Sequence, residues 1–422
     1  MRKHFRLRGH GGHRDSASKL PCFLASAGPG DKLHRHTLAA VPFLLVALFI
    51  FSAECKAQDN PTLKIDDDIT RFAYSAGGRI AYSTRHVFSI KKIELQRDDI
   101  WICEPDGKKH RILDGQKFVR GTGPFSYTVH AIRWSPDGGK LAIELATSEM
   151  ISNGGATREG VSTLLLDDSG REITIAGGDS FIPGASNAVW TADGATVVYL
   201  TARPTPPTPP HYEELPKNDK DIIHIMNRVQ PAAGPASPVF AGHSFSAVAW
   251  NAAKDGGAAI ESILPTALGS LVPPPNLVGL DLARQTLRVF STLQGYAGGL
   301  TLSPSSKNVA YWIDNGQLEI RDVEAPNRAV RLRVPIGILA WSGDETRVMV
   351  KRGAEAQTGG LVWFTVPPLA TVAAGAAPRT EEAPPQSVLY DLGFRLFNIS
   401  PDGKLLAVIE PGRHNLLVYP IS

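Results

Sequence analysis

Residues 132–144 read IRWSPDGGKLAIE, and the same pattern returns as FNISPDGKLLAVIE at residues 397–410. Each stretch has two apolar runs on either side of Ser-Pro-Asp-Gly. Proline presets the first central position of a turn, aspartate tolerates the second, and glycine closes it in a left-handed conformation. The flanking runs are rich in Val, Ile, Leu and Trp, which suits strands. The stretch therefore predicts a β-hairpin.

Five weaker copies of this hairpin occur elsewhere in the chain. They are FAYSAGGRIAYS (72–83), AVWTADGATVVYL (188–200), AVAWNAAKDGGAAIES (247–262), LTLSPSSKNVAYW (300–312) and LAWSGDETRVMV (339–350). The turn-entry residues of the seven copies are Ser75, Ser135, Thr191, Asn251, Ser303, Ser342 and Ser400, which are 39 to 60 residues apart. A repeat of this length built from short strands predicts a β-propeller. An ordinary β-sandwich with chance turn similarity is the alternative.

Further strands follow each hairpin at variable distances. The third strands are predicted in DIWICE (99–104), STLLLDD (162–168), DIIHIMN (221–227), NLVGLDL (276–282), QLEIRDV (317–323), LVWFTV (361–366) and NLLVYPI (415–421). The fourth are predicted in KKHRIL (108–113), REITIA (171–176), QTLRVFS (285–291) and RAVRLRV (328–334). The expected fold is therefore an all-β, seven-bladed β-propeller of four-stranded antiparallel blades. The last repeat supplies three strands, so residues 62–66 are expected to pair with Leu416–Pro420 as its outer strand.

Residues 1–57 are expected to be a signal peptide, followed by a single propeller domain at 58–422. A basic stretch leads into an apolar run at 38–51, which is short for a membrane span and suits a signal peptide. Cleavage is expected after Ala57, which places the protein in the periplasm or outside the cell. The alternative is an uncleaved N-terminal anchor, the one way in which a membrane is expected to be involved.

Charge and cysteine content restrict the class of partner. The leader holds nine Lys and Arg against three Asp and Glu, so a chain of net charge +3 leaves about −3 for residues 58–422. That balance does not favour nucleic-acid binding. Cys103 is the one cysteine outside the leader, so no disulfide is expected within the domain. Cys103 is expected to be a small buried hydrophobic residue on its strand. The protein is expected to be a monomer.

Long and short connections are predicted to lie on opposite faces. The turns within hairpins are short, whereas the long insertions include 84–98, 146–160, 202–220, 263–275 and 351–360. Long loops on a rigid scaffold commonly carry binding residues. Drift in loop length without function is the alternative. The candidate partner-binding residues on this loop-rich face are Arg85, His86, His130, His211, Glu213, His243, Arg352, Arg395, Arg413 and His414.

The hairpins and the DIWICEPDGKKHRIL segment that follows the first of them resemble the WD40-like (PD40) repeat of TolB-type propellers. The resemblance covers roughly residues 62–422 and is specific in two copies. It implies a propeller fold. TolB proteins also carry an α/β domain ahead of the propeller, and that domain is not expected here. The same repeat precedes prolyl-oligopeptidase-type hydrolase domains, and no such domain is expected after this propeller.

Two functions from different classes remain. The sequence shows no GxSxG, HExxH, CxxC or Gly-rich phosphate loop, and it predicts no catalytic residue, metal site or cofactor. We therefore expect an exported, non-catalytic module that binds a protein, peptide or glycan partner in the cell envelope. The alternative is a propeller enzyme, such as a lactonase-like hydrolase, with His130, Arg395 and loop carboxylates at the mouth of the central channel.

Overall fold

The computed structural model describes residues 60–90, 93–118, 125–150, 157–175, 179–202, 224–231, 234–251, 254–262, 273–295, 297–313, 316–334, 337, 339–351, 360–374, 378–381, 386–389 and 396–421. The predicted leader, 1–57, lies outside these residues. No helix in the described ranges is long and apolar enough to cross a membrane.

The described chain consists almost entirely of β-strands. In chain order they are β1 (Leu63–Ile65), β2 (Ile69–Tyr74), β3 (Ile80–Ile90), β4 (Ile93–Cys103), β5 (Lys109–Leu113), β6 (Phe125–Trp134), β7 (Lys140–Met150), β8 (Thr157–Asp167), β9 (Phe181–Pro183), β10 (Ala185–Trp190), β11 (Val197–Ala202), β12 (His224–Val229), β13 (Ser237–Pro238), β14 (Phe245–Asn251), β15 (Gly256–Glu261), β16 (Asn276–Asp281), β17 (Thr286–Thr292), β18 (Ala297–Leu302), β19 (Asn308–Ile313), β20 (Gln317–Asp322), β21 (Ala329–Arg333), β22 (Leu339–Trp341), β23 (Arg347–Lys351), β24 (Leu361–Thr365), β25 (Arg379–Glu381), β26 (Gln386–Leu389), β27 (Leu396–Ile399), β28 (Leu405–Ile409) and β29 (Leu416–Pro420). One short 3₁₀ turn, Leu369–Thr371, follows β24.

All seven predicted hairpins form. The antiparallel pairs are β2–β3, β6–β7, β10–β11, β14–β15, β18–β19, β22–β23 and β27–β28. A third strand follows each of them, as predicted. The fourth strand predicted at 171–176 is wrong: Glu172 makes one isolated bridge to Leu166, and β9 pairs with β8 instead.

The all-β propeller is confirmed, but the prediction of seven four-stranded blades is wrong. The hydrogen bonds of the described residues arrange the strands in five sheets: two of four strands, one of five and two of eight. The larger sheets arise because neighbouring hairpin units are joined by single pairings. Arg97 of β4 pairs with Tyr127 of β6, and His224 of β12 pairs with Phe245 of β14. The sequence repeat therefore marks hairpins and does not give the number of sheets.

The five-stranded sheet has an added outer strand. Its fifth strand, β25, comes from the Pro-rich insertion after β24 and lies parallel to β21. Val330 pairs there with Arg379, and Leu332 pairs with Glu381.

The two ends of the described chain meet in one sheet. β1 pairs antiparallel with β29, with Leu63 opposite Val418 and Ile65 opposite Leu416. The backbone N–H of Thr62 also donates to the carbonyl of Val418 at 2.8 Å. The pairing predicted between the N-terminal segment and the last repeat is confirmed.

The core lies between successive hairpins. Each hydrophobic cluster combines residues of two consecutive repeats, and one cluster joins the first and last repeats through residues such as Phe72, Tyr82 and Val418. The repeated tryptophans lie in or against these clusters, as predicted. The indole N–H of Trp134 donates to the carbonyl of Ala73 in the preceding hairpin at 3.1 Å. Cys103 is buried, and burial raises the pKa of its thiol.

Two predicted loops are strands. The described residues of 84–98 and 146–160 continue their sheets. β3 and β4 pair without a register shift from Ile80–Cys103 to Ile90–Ile93, and β7 and β8 pair in the same way from Lys140–Asp167 to Met150–Thr157. The alternation of side chains in RHVFS and in IELQR is compatible with strands. The loop prediction followed from the length of chain between the hairpin and the next predicted strand. We call the extended part of this sheet the raised sheet. It comprises residues 84–90 of β3, 93–98 of β4, 125–129 of β6, 146–150 of β7 and 157–160 of β8.

Candidate functional site

The first strands of the repeats contain a recurring irregularity. The register shifts by one residue in β2, β6, β10, β14 and β18, around Thr70, His130, Asn187, Ser246 and Gly299 respectively. First strands of several neighbouring repeats contact one another, such as β2 with β6 and β14 with β18, as expected for the inner strands of a propeller. Bulges re-aim side chains and are common beside functional sites. His130, which the sequence placed at the channel mouth, is thus a bulge position.

Asp98 holds the bulge of β6 in place. Its carboxylate is buried and accepts the backbone N–H of Val129, in the bulge of β6, at 2.7 Å. Arg85 donates to the same carboxylate through Nε at 3.0 Å. The Thr70 hydroxyl lies 3.4 Å from it. Arg85 is therefore paired, within the first repeat, with the carboxylate that joins the first repeat to the second.

Asp99 makes a parallel set of contacts on the other face of β4. One of its oxygens lies 2.9 Å from Nε2 of His86 and 3.1 Å from Nη1 of Arg111. Its other oxygen accepts the backbone N–H of Gly115 at 2.7 Å. His86 is therefore bound to a buried carboxylate at one end of its ring, while its side chain is 39% exposed.

His414 and Arg413 lie at the same corner of the molecule. The carbonyl of His414 accepts the backbone N–H of Ile69 at 3.0 Å, and Ile69 pairs with Thr84, directly before Arg85. The ring of His414 contacts the carboxylate of Asp68, and Arg413 is exposed. The fold thus gathers Arg85, His86, Arg413 and His414 around the start of β2.

His130 joins this corner through its backbone. Its side chain is exposed, and its carbonyl accepts Nε of Arg71 at 2.8 Å. His243 lies apart in the fourth repeat, where Nδ1 is 2.5 Å from Oε1 of Glu261. The other candidates, His211, Glu213, Arg352 and Arg395, fall outside the described residues. In the described ranges no three His, Cys, Asp or Glu side chains are grouped so that they could hold a metal ion.

The sequence did not single out the acidic residues that organise these bulges. Glu144, at the end of the most regular repeat, accepts the backbone N–H of Asn187 at 2.6 Å and faces Nη1 of Arg133 at 3.3 Å. This arrangement repeats that of Asp98, Val129 and Arg85 one hairpin later. The available signal was an acidic residue inside an otherwise apolar strand, since a buried carboxylate needs partners.

The short turns on the opposite face form a network of their own. The turn-entry hydroxyls are buried, and each of four donates to the aspartate two residues later, at 2.5 Å in Ser135–Asp137 and 2.6 Å in Ser400–Asp402. The fifth repeat has Ser305 in the aspartate position. Glu345 of the next turn supplies the carboxylate instead, 3.0 Å from the Ser303 hydroxyl. This borrowing explains how a degraded copy still forms its turn.

These turn contacts make stability depend on pH. The hydrogen bond from the adjacent Ser or Thr hydroxyl lowers the pKa of Asp137, Asp193, Asp344 and Asp402. A folded-state pKa below the unfolded value contributes stability at neutral pH that is lost as pH falls below about 4. Replacing all four with asparagine should therefore lower stability at pH 7 and flatten its decline toward pH 3. Urea midpoints at a series of pH values check this. If the urea midpoint falls equally steeply with pH in the variant and in the unchanged protein, the prediction is wrong.

Comparison with known proteins places the fold but gives no family. A chain of the crystal structure of the Mitotic Checkpoint Complex superposes with a TM-score of 0.51 at 12% identity, covering 94% of this chain and 99% of that one. The Myceliophteria thermophila Cps50 (Swd1) beta-propeller domain gives a TM-score of 0.50 at 11% identity, covering 86% of this chain and 99% of that one. No family model and no curated protein matches. The chain has a WD40-type propeller fold, and its relation to TolB-type repeats stays a prediction.

Proposed function

We propose that this protein is an exported, non-catalytic binding module that engages a protein or peptide partner through the raised sheet and the corner beside it. The fold is of the kind used in protein–protein interaction. The observation that supports this site best is the unpaired edge of β3. Among the described residues, β3 pairs with β2 only as far as Thr84, while its pairing with β4 continues to Ile90.

The backbone geometry of β3 gives this edge its binding capacity. In the first turn Ser75 N–H donates to the carbonyl of Arg79, so residue 79 directs its polar groups toward β2. Alternate residues of a strand share that direction. Val87 and Ser89 therefore direct N–H and C=O groups away from β4, at an edge where no described strand lies. An extended peptide can add to such an edge as a further strand.

The side chains at this edge suit a partner that is partly apolar. Val87 is 57% exposed, which is unusual for an aliphatic side chain in the described part of the protein. The ion pair of Arg85 with Asp98 and the contact of His86 with Asp99 hold the strand rigid. Rigid elements lose less conformational entropy on binding than mobile loops do.

The proposal of export rests on the sequence of the leader. The apolar run at 38–51 and the small residues up to Ala57 support cleavage before Gln58 and a periplasmic or secreted location. The WSPDG and ISPDG hairpins support a relation to TolB-type (PD40) propellers. N-terminal sequencing of the protein from its native host tests export, and an intact 1–57 segment in the cytosol would refute it.

Substituting Val87 with aspartate should abolish partner capture without affecting folding. Val87 is exposed, so the change places a charge at the proposed contact while leaving the core intact. The measurement is a pull-down from envelope extract with residues 58–422 as bait, followed by titration of the partner that is identified. We expect an affinity at least ten-fold weaker than that of the unchanged protein.

Val289 supplies the matched control. It is 56% exposed and lies on β17, at the outer edge of a different repeat. Val289→Asp should bind the partner as the unchanged protein does. Equal binding by all three proteins would show that the partner docks elsewhere.

A further inference from the structure

A cavity of about 290 Å³ lies between the first strands of the second to fifth repeats. One part of its wall is polar and is formed by Arg133, Asn187 and Thr301. The remainder is mostly apolar and includes Val189, Val248 and Leu300. Arg133 is the one charged residue among those that line the cavity. The cavity is thus a concave, mixed site at bulged strands, away from the raised sheet.

Arg133 has donor capacity that the described residues do not use. Its Nη1 lies 3.3 Å from Oε2 of Glu144, and its Nη2 lies 3.2 Å from Oδ1 of Asn187. A guanidinium carries five N–H donors, so these two contacts leave three. Glu144 is buried, and it therefore fixes the guanidinium in one orientation beside the cavity.

Asn187 and Thr301 add further donors to the same wall. Asn187 has a φ of 51°, in the left-handed region, because the bulge of β10 turns it out of the ladder. Its backbone N–H and its side-chain oxygen are occupied by Glu144 and Arg133, which leaves the side-chain NH₂ without a partner in the described chain. The same holds for the hydroxyl of Thr301. Asn187 is exposed and Thr301 is half-buried, so these unused donors are accessible to a ligand in the cavity.

We propose that this cavity binds a small monocarboxylate with a short hydrocarbon chain. The unused groups are mainly donors, and a carboxylate is an acceptor on both oxygens. The planar guanidinium matches carboxylate geometry. Glu144 already offsets part of the charge of Arg133, so a dianion such as phosphate would be disfavoured more strongly than a singly charged carboxylate. The volume equals that of about ten waters of roughly 30 Å³ each, which suits an acid of four to six carbons against Val189, Val248 and Leu300.

Calorimetric titration of the purified full chain with hexanoate tests the proposal. We expect saturable binding of one hexanoate per chain, at least ten-fold weaker binding of hexanamide, and no binding of inorganic phosphate. Hexanamide keeps the shape and removes the charge, so it separates carboxylate recognition from filling of an apolar space. Absence of hexanoate binding, or equal binding of the amide, would overturn the proposal.

Two variants localise the site. Arg133→Lys keeps a cation beside Glu144 but removes the guanidinium fork, and Thr301→Val removes one hydroxyl at nearly constant volume. Each should weaken hexanoate binding about ten-fold. Thr301→Val should leave the melting temperature unchanged, since its hydroxyl has no partner in the described chain, so this variant remains informative if Arg133→Lys folds poorly. Thr286→Val, on the exposed strand β17, is the control and should bind normally. Normal binding by Thr301→Val and by any folded Arg133→Lys would refute the site.

Discussion

Replacing Asp98 with alanine should lower the free energy of unfolding by about 3 kcal/mol, the scale expected when one partner of a buried ion pair is removed. The carboxylate is fully buried and accepts both Arg85 and the backbone N–H of Val129. Its removal leaves that N–H, in the bulge of β6, without a partner. The side chain of Arg85 is 28% exposed, so it can be hydrated once Asp98 is removed. The expected loss of stability is therefore at the lower end of the range for breaking a buried ion pair.

Urea unfolding of the variant at pH 7 provides the measurement. Asp66→Ala is the matched control, because Asp66 is 66% exposed and pairs only with Lys64 at 2.7 Å. An exposed pair of that kind contributes at most about 1 kcal/mol. The loss of stability in Asp98→Asn should lie between those of Asp98→Ala and Asp66→Ala, since asparagine keeps the shape of the side chain and one acceptor. A loss below about 1 kcal/mol for Asp98→Ala would show that the bulge does not depend on this carboxylate.

The local features of the fold were predictable from the sequence, whereas the long-range pairings between strands were not. The hairpins were predictable at all seven positions, because Ser-Pro-Asp-Gly and its variants specify a turn through hydrogen bonds within five residues. The number of sheets was not predictable. It depends on single pairings such as Arg97–Tyr127 and His224–Phe245, which join strands that are 30 and 21 residues apart. No local pattern encodes such a pairing.

The candidate site shows the same division. Residues 84–98 were predicted as a long insertion. Residues 84–90 and 93–98 are instead strands whose charged side chains have partners across the hairpin, such as Arg85 with Asp98. Arg85 and His86 were identified, but not the buried Asp98 and Asp99 that bind them. An exposed cation can be noticed from composition. The carboxylate opposite it is found only when the register of two strands is known.

A chain that begins at Asp67 should melt roughly 5–10 °C below one that begins at Gln58, because ring closure depends on β1. The truncation removes Ile65, which is buried against Leu416 and Val418, and the antiparallel pairing of β1 with β29. It also exposes the outer edge of β29 to solvent. We estimate the loss at about 5 kcal/mol from one buried aliphatic side chain, the exposed partners and the lost hydrogen bonds.

Point substitutions separate burial from simple shortening. In the chain that begins at Gln58, Ile65→Asp should lower the melting temperature by much of the amount expected for the truncation. The substitution places a charge in the hydrophobic cluster shared by the first and last repeats. Lys64→Ala, on the same strand with a 44% exposed side chain, should change the melting temperature by less than about 2 °C. The truncated protein should also aggregate at lower temperature, since an unpaired strand edge can pair with another chain. A synthetic peptide of residues 60–67 should restore part of the melting temperature by occupying that edge. If the truncated chain melts with the intact one, β1 is an accessory strand and the ring is held by its side-chain clusters alone.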